Sequence, residues 1–359
     1  MKISTVLGIA ILGLYSSAIF ASETHTSNIS TFSIVAYDST TGELGVAVAS
    51  KFLAVGAVVP YAEAGVGAIA TQAWGNTTYG HEGLTLLKMG IPPHQVIDIL
   101  ISKDTNRTHR QVGIVDAKGR TAAYTGRDCY DWAGHIVGHH YAVQGNILAS
   151  EEVLKAMARA FEQTNGTLAE RLLAALEAGQ TAGGDRRGRQ SAALLVVRKH
   201  GGYSGYNDRY IDLRVDDHPE PIKELKRLFQ LHERFFQASA HVRFGVEFLK
   251  QGKQSEAMHE FNLAVMIADK YPDDAILQNQ VAWEFAINNV RLDDAMRLAK
   301  RAVKLAPKDA NIWDTLGEVL FRRAEYREAV KAESIAVELD PNNKLFRKKL
   351  ERWRKKLKE

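Results

Sequence analysis

Apolar residues follow two different periods along the chain, and the change of period divides it into two regions. From residue 31 to about 217, short runs that are apolar on both faces are interleaved with stretches of helical periodicity. The short runs predict buried strands at 31–38, 44–52, 64–73, 110–116, 120–126, 191–199 and 209–215. The helical periodicity predicts helices at 81–90, 92–103, 151–163 and 168–179. Beyond residue 239 the pattern is helical only.

The order of these elements indicates the class of the first region. Strands, a helix pair, strands, a second helix pair and further strands follow one another, unlike the strict alternation of a parallel α/β sheet. This order predicts an α+β domain over residues 31–217, with antiparallel sheets packed face to face and helix pairs on their outer faces. Each sheet would then be covered by the other sheet on one face and by helices on the other, which explains why both faces of the strands are apolar.

The second region repeats itself. A connecting helix is predicted at 218–238, and within 239–343 three residues, Ala295, Ala302 and Pro307, recur 34 positions later as Ala329, Ala336 and Pro341. A Trp-x-x-Leu-Gly-x-x-Leu element consists of Trp313, Leu316, Gly317 and Leu320. A less regular copy of the repeat contains Ala257, Phe261, Ala264 and Pro272. The pattern resembles the tetratricopeptide repeat, which implies an all-α solenoid that docks a peptide or protein partner.

Charge is concentrated at the C-terminal end. Residues 344–359 contain nine Lys or Arg and two Glu, a net charge of +7, whereas the whole chain is +4 and the remainder is therefore about −3. Phe346, Leu350, Trp353 and Leu357 fall on one helical face. Either a membrane-surface helix or a capping helix for the last repeat fits this pattern, and we favour the cap.

The N-terminal end is typical of an exported protein. Residues 1–21 combine Lys2, an apolar stretch and small residues near Ala21, which predicts a cleaved signal peptide and a periplasmic or secreted location. An uncleaved membrane anchor is the alternative. Residues 22–30 are interpreted as a linker or propeptide. Cys129 is the only cysteine, so no internal disulfide can form.

Long stretches of the first region resemble a bacterial family of unknown function that is usually placed in the N-terminal-nucleophile (Ntn) hydrolase superfamily. The stretches are TFSIVAYD, GELGVAVASKFLAVGAVVP, GVGAIATQAW, YAVQGNIL, AGGDRRGRQSAALLVV and NDRYIDLRVDDHP. The resemblance covers residues 31–231 and implies a four-layer αββα sandwich. It further implies amide hydrolysis by the first residue of the mature chain.

The resemblance places Thr31 at the nucleophile position. A threonine hydroxyl needs a base, and a free α-amino group, with a pKa of roughly 7.7–8.0, can act as that base near neutral pH. An acylated nitrogen cannot. Because residues 22–30 would remain after removal of the leader, the hypothesis requires a second cleavage between Ser30 and Thr31.

Further candidates for the same site follow from the resemblance and from the local pattern. Lys51 is interpreted as a cation that tunes the amine, or as a surface lysine at a strand end. Asn146 is interpreted as an oxyanion donor or as a turn residue. Asp185 matches a residue that orients the terminal residue in proteasome-like relatives. The loop that follows contributes either contacts to an anionic substrate or a solvated turn, through Arg186, Arg189 and Ser191.

Several other functions are disfavoured. His135, His139 and His140 lack a carboxylate at ligand spacing, so we predict no metal, and no cofactor motif or phosphate-binding loop occurs. Nothing resembles a nucleic-acid-binding module. Amide hydrolysis is the leading hypothesis. The alternative is a non-catalytic envelope scaffold that binds partners through the repeats.

Overall fold

The computed structural model describes residues 31–358, so the predicted signal peptide and the segment 22–30 lie outside the described residues. Ten strands occur in the described part of the first region. They are β1 (Thr31–Tyr37), β2 (Leu44–Ser50), β3 (Pro60–Glu63), β4 (Gly67–Ala73), β5 (Arg110–Asp116), β6 (Thr121–Thr125), β7 (Gly134–Gly138), β8 (Tyr141–Asn146), β9 (Ser191–Val197) and β10 (Arg209–Val215). The helices among them are α1 (Thr78–Lys88), α2 (Pro93–Ser102), α3 (Glu152–Gln163) and α4 (Leu168–Thr181).

The strands form two antiparallel sheets. The larger sheet has the order β10-β9-β2-β1-β8-β7, and the smaller has the order β3-β4-β5-β6. Strand β1 is central in the larger sheet and is paired on both sides along almost its whole length, with β2 and with β8. The start of β1 is therefore held at a defined register on both edges.

Alternation along β1 shows how the layers are arranged. Phe32, Ile34 and Ala36 face the apolar surfaces of α3 and α4, whereas Val35 belongs to the apolar layer between the two sheets. Helices α1 and α2 pack on the outer face of the smaller sheet around Ile69 and Ile114. Because side chains alternate along a strand, Thr31 and Ser33 share the inter-sheet face with Val35.

Three strands were not predicted from the sequence: β3, β7 and the fully buried β8, where Asn146 was interpreted as an oxyanion donor or a turn residue. Strands β3 and β7 lie at sheet edges and are only half-buried, so neither has the continuous apolar run that marks the central strands. The segment that contains His135, His139 and His140 thus forms β7 and its turn into β8. Our interpretation of this segment from its histidines alone missed the strand.

The second region consists of stacked helix pairs. After α5 (Pro221–His232), a π-helical turn at Glu233–Gln237 leads directly into the first pair. The pairs are α6 (Ala238–Lys250) with α7 (Gln254–Lys270), α8 (Ala275–Ile287) with α9 (Leu292–Leu305), and α10 (Ala310–Arg322) with α11 (Tyr326–Leu339). The recurrent alanines at 257, 264, 295, 302, 329 and 336 are completely buried, which allows the paired helices to approach closely. A sheet-containing domain followed by a helical region resembling tetratricopeptide repeats is confirmed.

Helix α12 (Lys344–Lys358) covers the end of the stack. Phe346, Leu350 and Trp353 are buried, and the Trp353 ring stacks on Phe321 with centroids 4.9 Å apart. Leu357, which we expected on the same buried face, is 42% exposed. No helix within residues 31–358 is both long and apolar enough to cross a membrane.

Candidate functional site

Four polar side chains form a row across the centre of the larger sheet, at the end where β1 begins. Thr31 is directly opposite Ser50 of β2 and Asn146 of β8, and Ser50 is opposite Ser191 of β9. None of the four is more than 2% exposed. Since opposed residues share a face, the whole row lies on the inter-sheet side of the sheet.

The Thr31 hydroxyl points along this row. Its Oγ1 donates to Ser50 Oγ at 3.3 Å. Ser33, two residues on, donates from its Oγ to Gln72 Oε1 of the smaller sheet at 2.6 Å. The start of β1 is therefore a polar patch in a layer that is otherwise apolar.

Buried amide side chains from three strands continue this patch. Gln72 of β4, Gln111 of β5 and Gln144 of β8 have no exposed surface. Gln72 Nε2 donates to the Thr31 carbonyl oxygen at 3.2 Å, and Asn146 Nδ2 donates to Gln111 Oε1 at 3.1 Å. Sequence reasoning missed these residues. Their signal in the sequence was a glutamine next to, or between, apolar residues of a predicted or observed strand.

Gly113 provides the space for this network. A Cβ atom at this position would lie 2.1 Å from Gln144 Oε1, well inside contact distance. A residue with a side chain would therefore displace Gln144, whose Nε2 donates to Ser33 Oγ at 2.6 Å. The glycine lies in the middle of β5, where its absence of a side chain lets the two sheets approach closely.

Asp185 is brought to the end of β2. Its buried carboxylate accepts from the Lys51 backbone N–H at 2.8 Å and from the Arg187 backbone N–H at 2.9 Å, and it is also paired with the Arg187 guanidinium. Lys51 directly follows Ser50 in the sequence. Asp185 thereby fixes the main chain next to the polar row, whereas the Lys51 side chain itself is exposed.

The other three candidates follow Asp185 in the chain, and each has a different environment. Ser191 Oγ accepts from the Val55 N–H at 3.1 Å and donates to the Phe52 carbonyl oxygen, so its hydroxyl organises the segment after β2. Arg189 forms an ion pair with Glu220 at the surface. Arg186 is exposed, and its backbone N–H donates to the Ile147 carbonyl oxygen at 3.0 Å, next to Asn146.

Cys129, His135, His139 and His140 lie outside this site, and the Cys129 thiol donates to the Arg110 carbonyl oxygen at 3.5 Å. Burial raises the pKa of the Cys129 thiol to about 11. His135 Nδ1 lies 2.9 Å from Thr125 Oγ1, and the rings of His139 and His140 stack on each other. Within residues 31–358 no group of three or more His, Cys, Asp or Glu side chains is placed to hold a metal ion.

Two cavities lie away from Thr31. One, of about 930 Å³, lies between the loop 201–204 of the sheet domain and helices α6 and α8. The other, of about 390 Å³, lies near β3 and β10. Neither is lined by Thr31, Ser50 or Asn146.

The helical region has relatives among repeat proteins. Over 58 residues the chain is 41% identical to the small glutamine-rich tetratricopeptide repeat-containing protein 2 of Mycosarcoma maydis, which is 16% of each protein. The first tetratricopeptide domain of Spaghetti (RPAP3), solved with an HSP90 peptide, superposes with a TM-score of 0.27 at 23% identity. That match covers 34% of this chain and 94% of that one.

The sheet domain is similar to a solved protein and matches one sequence family. The crystal structure of SPO2555 from Silicibacter pomeroyi superposes with a TM-score of 0.52 at 36% identity, covering 56% of this chain and 89% of that one, and its title assigns it to DUF1028. Residues 31–225, more than half of the chain, match the family of unknown function DUF1028, and the match begins at Thr31, the first residue of β1. The protein therefore belongs to the DUF1028 family.

Proposed function

We propose that the sheet domain is an Ntn-type hydrolase of amide bonds, exported by its N-terminal leader, with Thr31 as the nucleophile. One observation carries the proposal. Thr31 is both the residue at which the family match begins and a member of the buried polar row on the central strand, between Asn146 and Ser50. The packing of two sheets between helix pairs, as in an αββα sandwich, supports the same assignment.

Release of the Thr31 nitrogen is the first step. Thr31 Oγ1 attacks the carbonyl carbon of Ser30, its hydroxyl proton passes to the departing nitrogen, and the Ser30–Thr31 C–N bond breaks. The resulting ester is hydrolysed by water, which regenerates the hydroxyl and leaves a carboxylate on Ser30. Thr31 then carries a free amine beside its own Oγ1, and that amine can act as a base near neutral pH.

The same groups then act on a substrate amide. The amine accepts the proton of Oγ1 as the oxygen attacks the substrate carbonyl, and it passes the proton to the leaving nitrogen as the substrate C–N bond breaks. Water then hydrolyses the ester on Oγ1, which releases the substrate's carboxylic acid and restores the Thr31 hydroxyl. Asn146, opposite Thr31, donates to the developing oxyanion. Asp185, which accepts from the Lys51 backbone N–H, holds the end of β2 in register. The exposed Lys51 ammonium adds positive charge near this end of the strand. The loop residues Arg186 and Arg189 attract an anionic group of the substrate, and Ser191 shapes the loop that they flank.

Activity of matched variants tests this function. Wild-type protein, Thr31→Ala, Thr31→Ser and Thr40→Ala are compared on a panel of aminoacyl and peptidyl amides that release a fluorescent amine. Thr40 lies in the exposed β1–β2 turn and is the control. We expect hydrolysis by wild type and Thr40→Ala, partial activity in Thr31→Ser and none in Thr31→Ala. Equal hydrolysis by wild type and Thr31→Ala would exclude Thr31 as the nucleophile.

A second function, docking of a peptide or protein partner through the repeats, is supported by the cavity next to α6 and α8. Its rim exposes Tyr203, Phe235 and Phe236, each at least half exposed. Exposed aromatic side chains around a concavity are typical of binding surfaces. Helix α6 contributes Arg243 and Glu247 to the same cavity, so that charged groups flank the apolar rim.

Cross-linking to envelope extracts tests the docking function. The full chain is compared with Phe236→Ser and with Leu345→Ser, a control on exposed α12 surface away from the cavity. We expect the cavity variant to lose a discrete cross-linked partner that wild type and the control retain. Identical cross-linking by all three proteins would argue against docking at this cavity.

A further inference from the structure

The buried amides beside Thr31 form one hydrogen-bonded chain between the two sheets. Gln144 donates to Ser33, Ser33 donates to Gln72, and Gln72 Nε2 donates to Gln111 Oε1 at 2.8 Å. Gln111 Oε1 also accepts from Asn146 Nδ2 at 3.1 Å. Each amide in this chain donates through its nitrogen and accepts through its oxygen. Turning one amide by 180° would require its partners to exchange donor for acceptor, so the orientations of the amides depend on one another.

Backbone carbonyl groups fix the orientation of Gln111. Its Nε2 lies 3.0 Å from the Gly134 carbonyl oxygen and 2.8 Å from the Gly145 carbonyl oxygen. A carbonyl oxygen only accepts, so the nitrogen of Gln111 must be on this side. Its Oε1 is therefore directed at Asn146, and an acceptor in that position requires Asn146 to present Nδ2.

Gln72 is fixed in the same way. Its Nε2 lies 3.2 Å from the Thr31 carbonyl oxygen and 3.3 Å from the Gln144 carbonyl oxygen. The contact to Thr31 is on the C-terminal side of that residue. A break in the chain before Thr31 would leave this contact in place.

We propose that Gln111 and Gln72 are positioning residues for the reaction at Thr31, an inference that rests on the proposed function. Gln111 sets the orientation of the Asn146 amide, so that Asn146 meets the reacting carbonyl as a donor. Gln72 holds Thr31 by its carbonyl oxygen. This matters most once Thr31 has become a chain end, because chain ends fray unless they are tied down.

Rates of cleavage at the Ser30–Thr31 bond test the proposal without a known substrate. Gln111→Met, Gln72→Met and Gln278→Met are followed by intact mass from a freshly purified precursor. Gln278 is the matched control, since it is completely buried in α8 and its Nε2 also donates to two backbone carbonyl oxygens. We expect cleavage to slow by about tenfold or more in the site variants, the scale on which misplaced groups reduce rates, and to be unchanged in Gln278→Met.

Gln111→Glu adds a pH dependence of the cleavage rate that a loss of stability alone would not produce. A charged carboxylate would repel the carbonyl oxygens of Gly134 and Gly145, whereas the protonated acid can donate to one of them. The cleavage rate of Gln111→Glu relative to wild type should therefore fall as the pH is raised from 5 to 9, and the relative rate of Gln111→Met should stay flat.

The outcomes separate this proposal from the proposed function. If Thr31→Ala is not cleaved but the Gln111 and Gln72 variants are cleaved at the wild-type rate, the positioning role is wrong and the nucleophile stands. Equal slowing in Gln278→Met would assign the effect to general destabilisation and overturn the positioning role. A wild-type chain that is never cleaved would overturn both.

Discussion

The hydroxyl of Thr31 and the amide of Asn146 lie in a layer where polar groups are costly. Burying a polar group without a partner costs roughly 1–3 kcal/mol in proteins, so a chain that keeps polar residues in this layer must satisfy them or use them. Here Thr31 Oγ1 donates to Ser50, Asn146 Nδ2 donates to Gln111, and the amide nitrogens of Gln72 and Gln111 donate to backbone carbonyl groups of the larger sheet, whereas Gln144 Oε1 is buried without a hydrogen-bond partner. A local departure from an apolar core is typical of a functional site.

Asp185 allows a test of how the loop supports this site. Asp185→Ala removes the acceptor of the Lys51 and Arg187 N–H groups and leaves them in a part-buried setting. We expect a loss of about 2–3 kcal/mol in the free energy of unfolding, together with slower cleavage at Thr31. Urea unfolding and intact mass are the measurements. Asp273→Ala, at an exposed position between α7 and α8, is the control and should change neither.

The residues of the site could be predicted only in part. Thr31, Asn146 and Asp185 were singled out because a family resemblance covers their segments. Gln72 and Gln111 come from strands far from Thr31 in sequence, and they meet it only because the smaller sheet packs onto the larger one. Pairing of strands and packing of sheets are not encoded in any one segment, so this contact required the structure.

At the scale of elements, a continuous apolar run made most strands predictable, and a turn signal after β5 made β6 predictable although it is a half-buried edge strand. Central strands such as β1, β2 and β9 are covered on both faces and were predicted from their apolar runs. Edge strands β3 and β7 are half-buried and were missed. The helix pairs of the repeats were predicted from periodicity, since small residues recur at each close approach.

Helix α11 contains a buried acid whose titration should be visible in stability. Glu333 has no exposed surface, and burial, together with the nearby Asp314 and Glu318, raises its pKa from 4.5 to about 9. The folded chain then holds a proton that the unfolded chain releases above pH 4.5. This contribution to stability is complete at low pH and is lost as the pH rises towards 9.

Glu333→Gln should remove this dependence. We expect the free energy of unfolding of wild type to fall between pH 5 and 9, by at most about 1.4 kcal/mol per pH unit, relative to the variant. Urea unfolding at pH 5, 7 and 9 measures the difference, with exposed Glu338→Gln as control. Parallel curves for wild type and Glu333→Gln would show that Glu333 is ionised in the folded protein.

At the scale of the whole molecule, a buried ionic network joins the sheet domain to the repeats. Arg198, at the end of β9, bonds to Glu43 Oε1 at 3.2 Å and to Glu260 Oε1 of α7 at 2.5 Å. Glu260 Oε2 is 2.7 Å from His241 Nδ1 of α6. Burial raises the pKa of Glu43 to about 7, so Arg198 compensates a carboxylate that is costly to bury.

Loss of Arg198 should weaken the connection between the two regions. Arg198→Met leaves two buried carboxylates without their cation, which costs about 3–5 kcal/mol. We expect calorimetry to show the repeats and the sheet domain unfolding in separate transitions rather than together. Arg209→Met breaks only an exposed pair with Asp212 and should cost about 0–1 kcal/mol. A single, unshifted transition in Arg198→Met would show that apolar packing alone joins the regions.

The most direct test of the account is the N-terminal residue of the protein purified from its own host. Intact mass and N-terminal sequencing of wild type and Thr31→Ala determine it. The account predicts a wild-type chain that begins at Thr31, and a Thr31→Ala chain that keeps the residues before it. A fully active wild-type chain in which Ser30 is still bonded to Thr31 would contradict the mechanism.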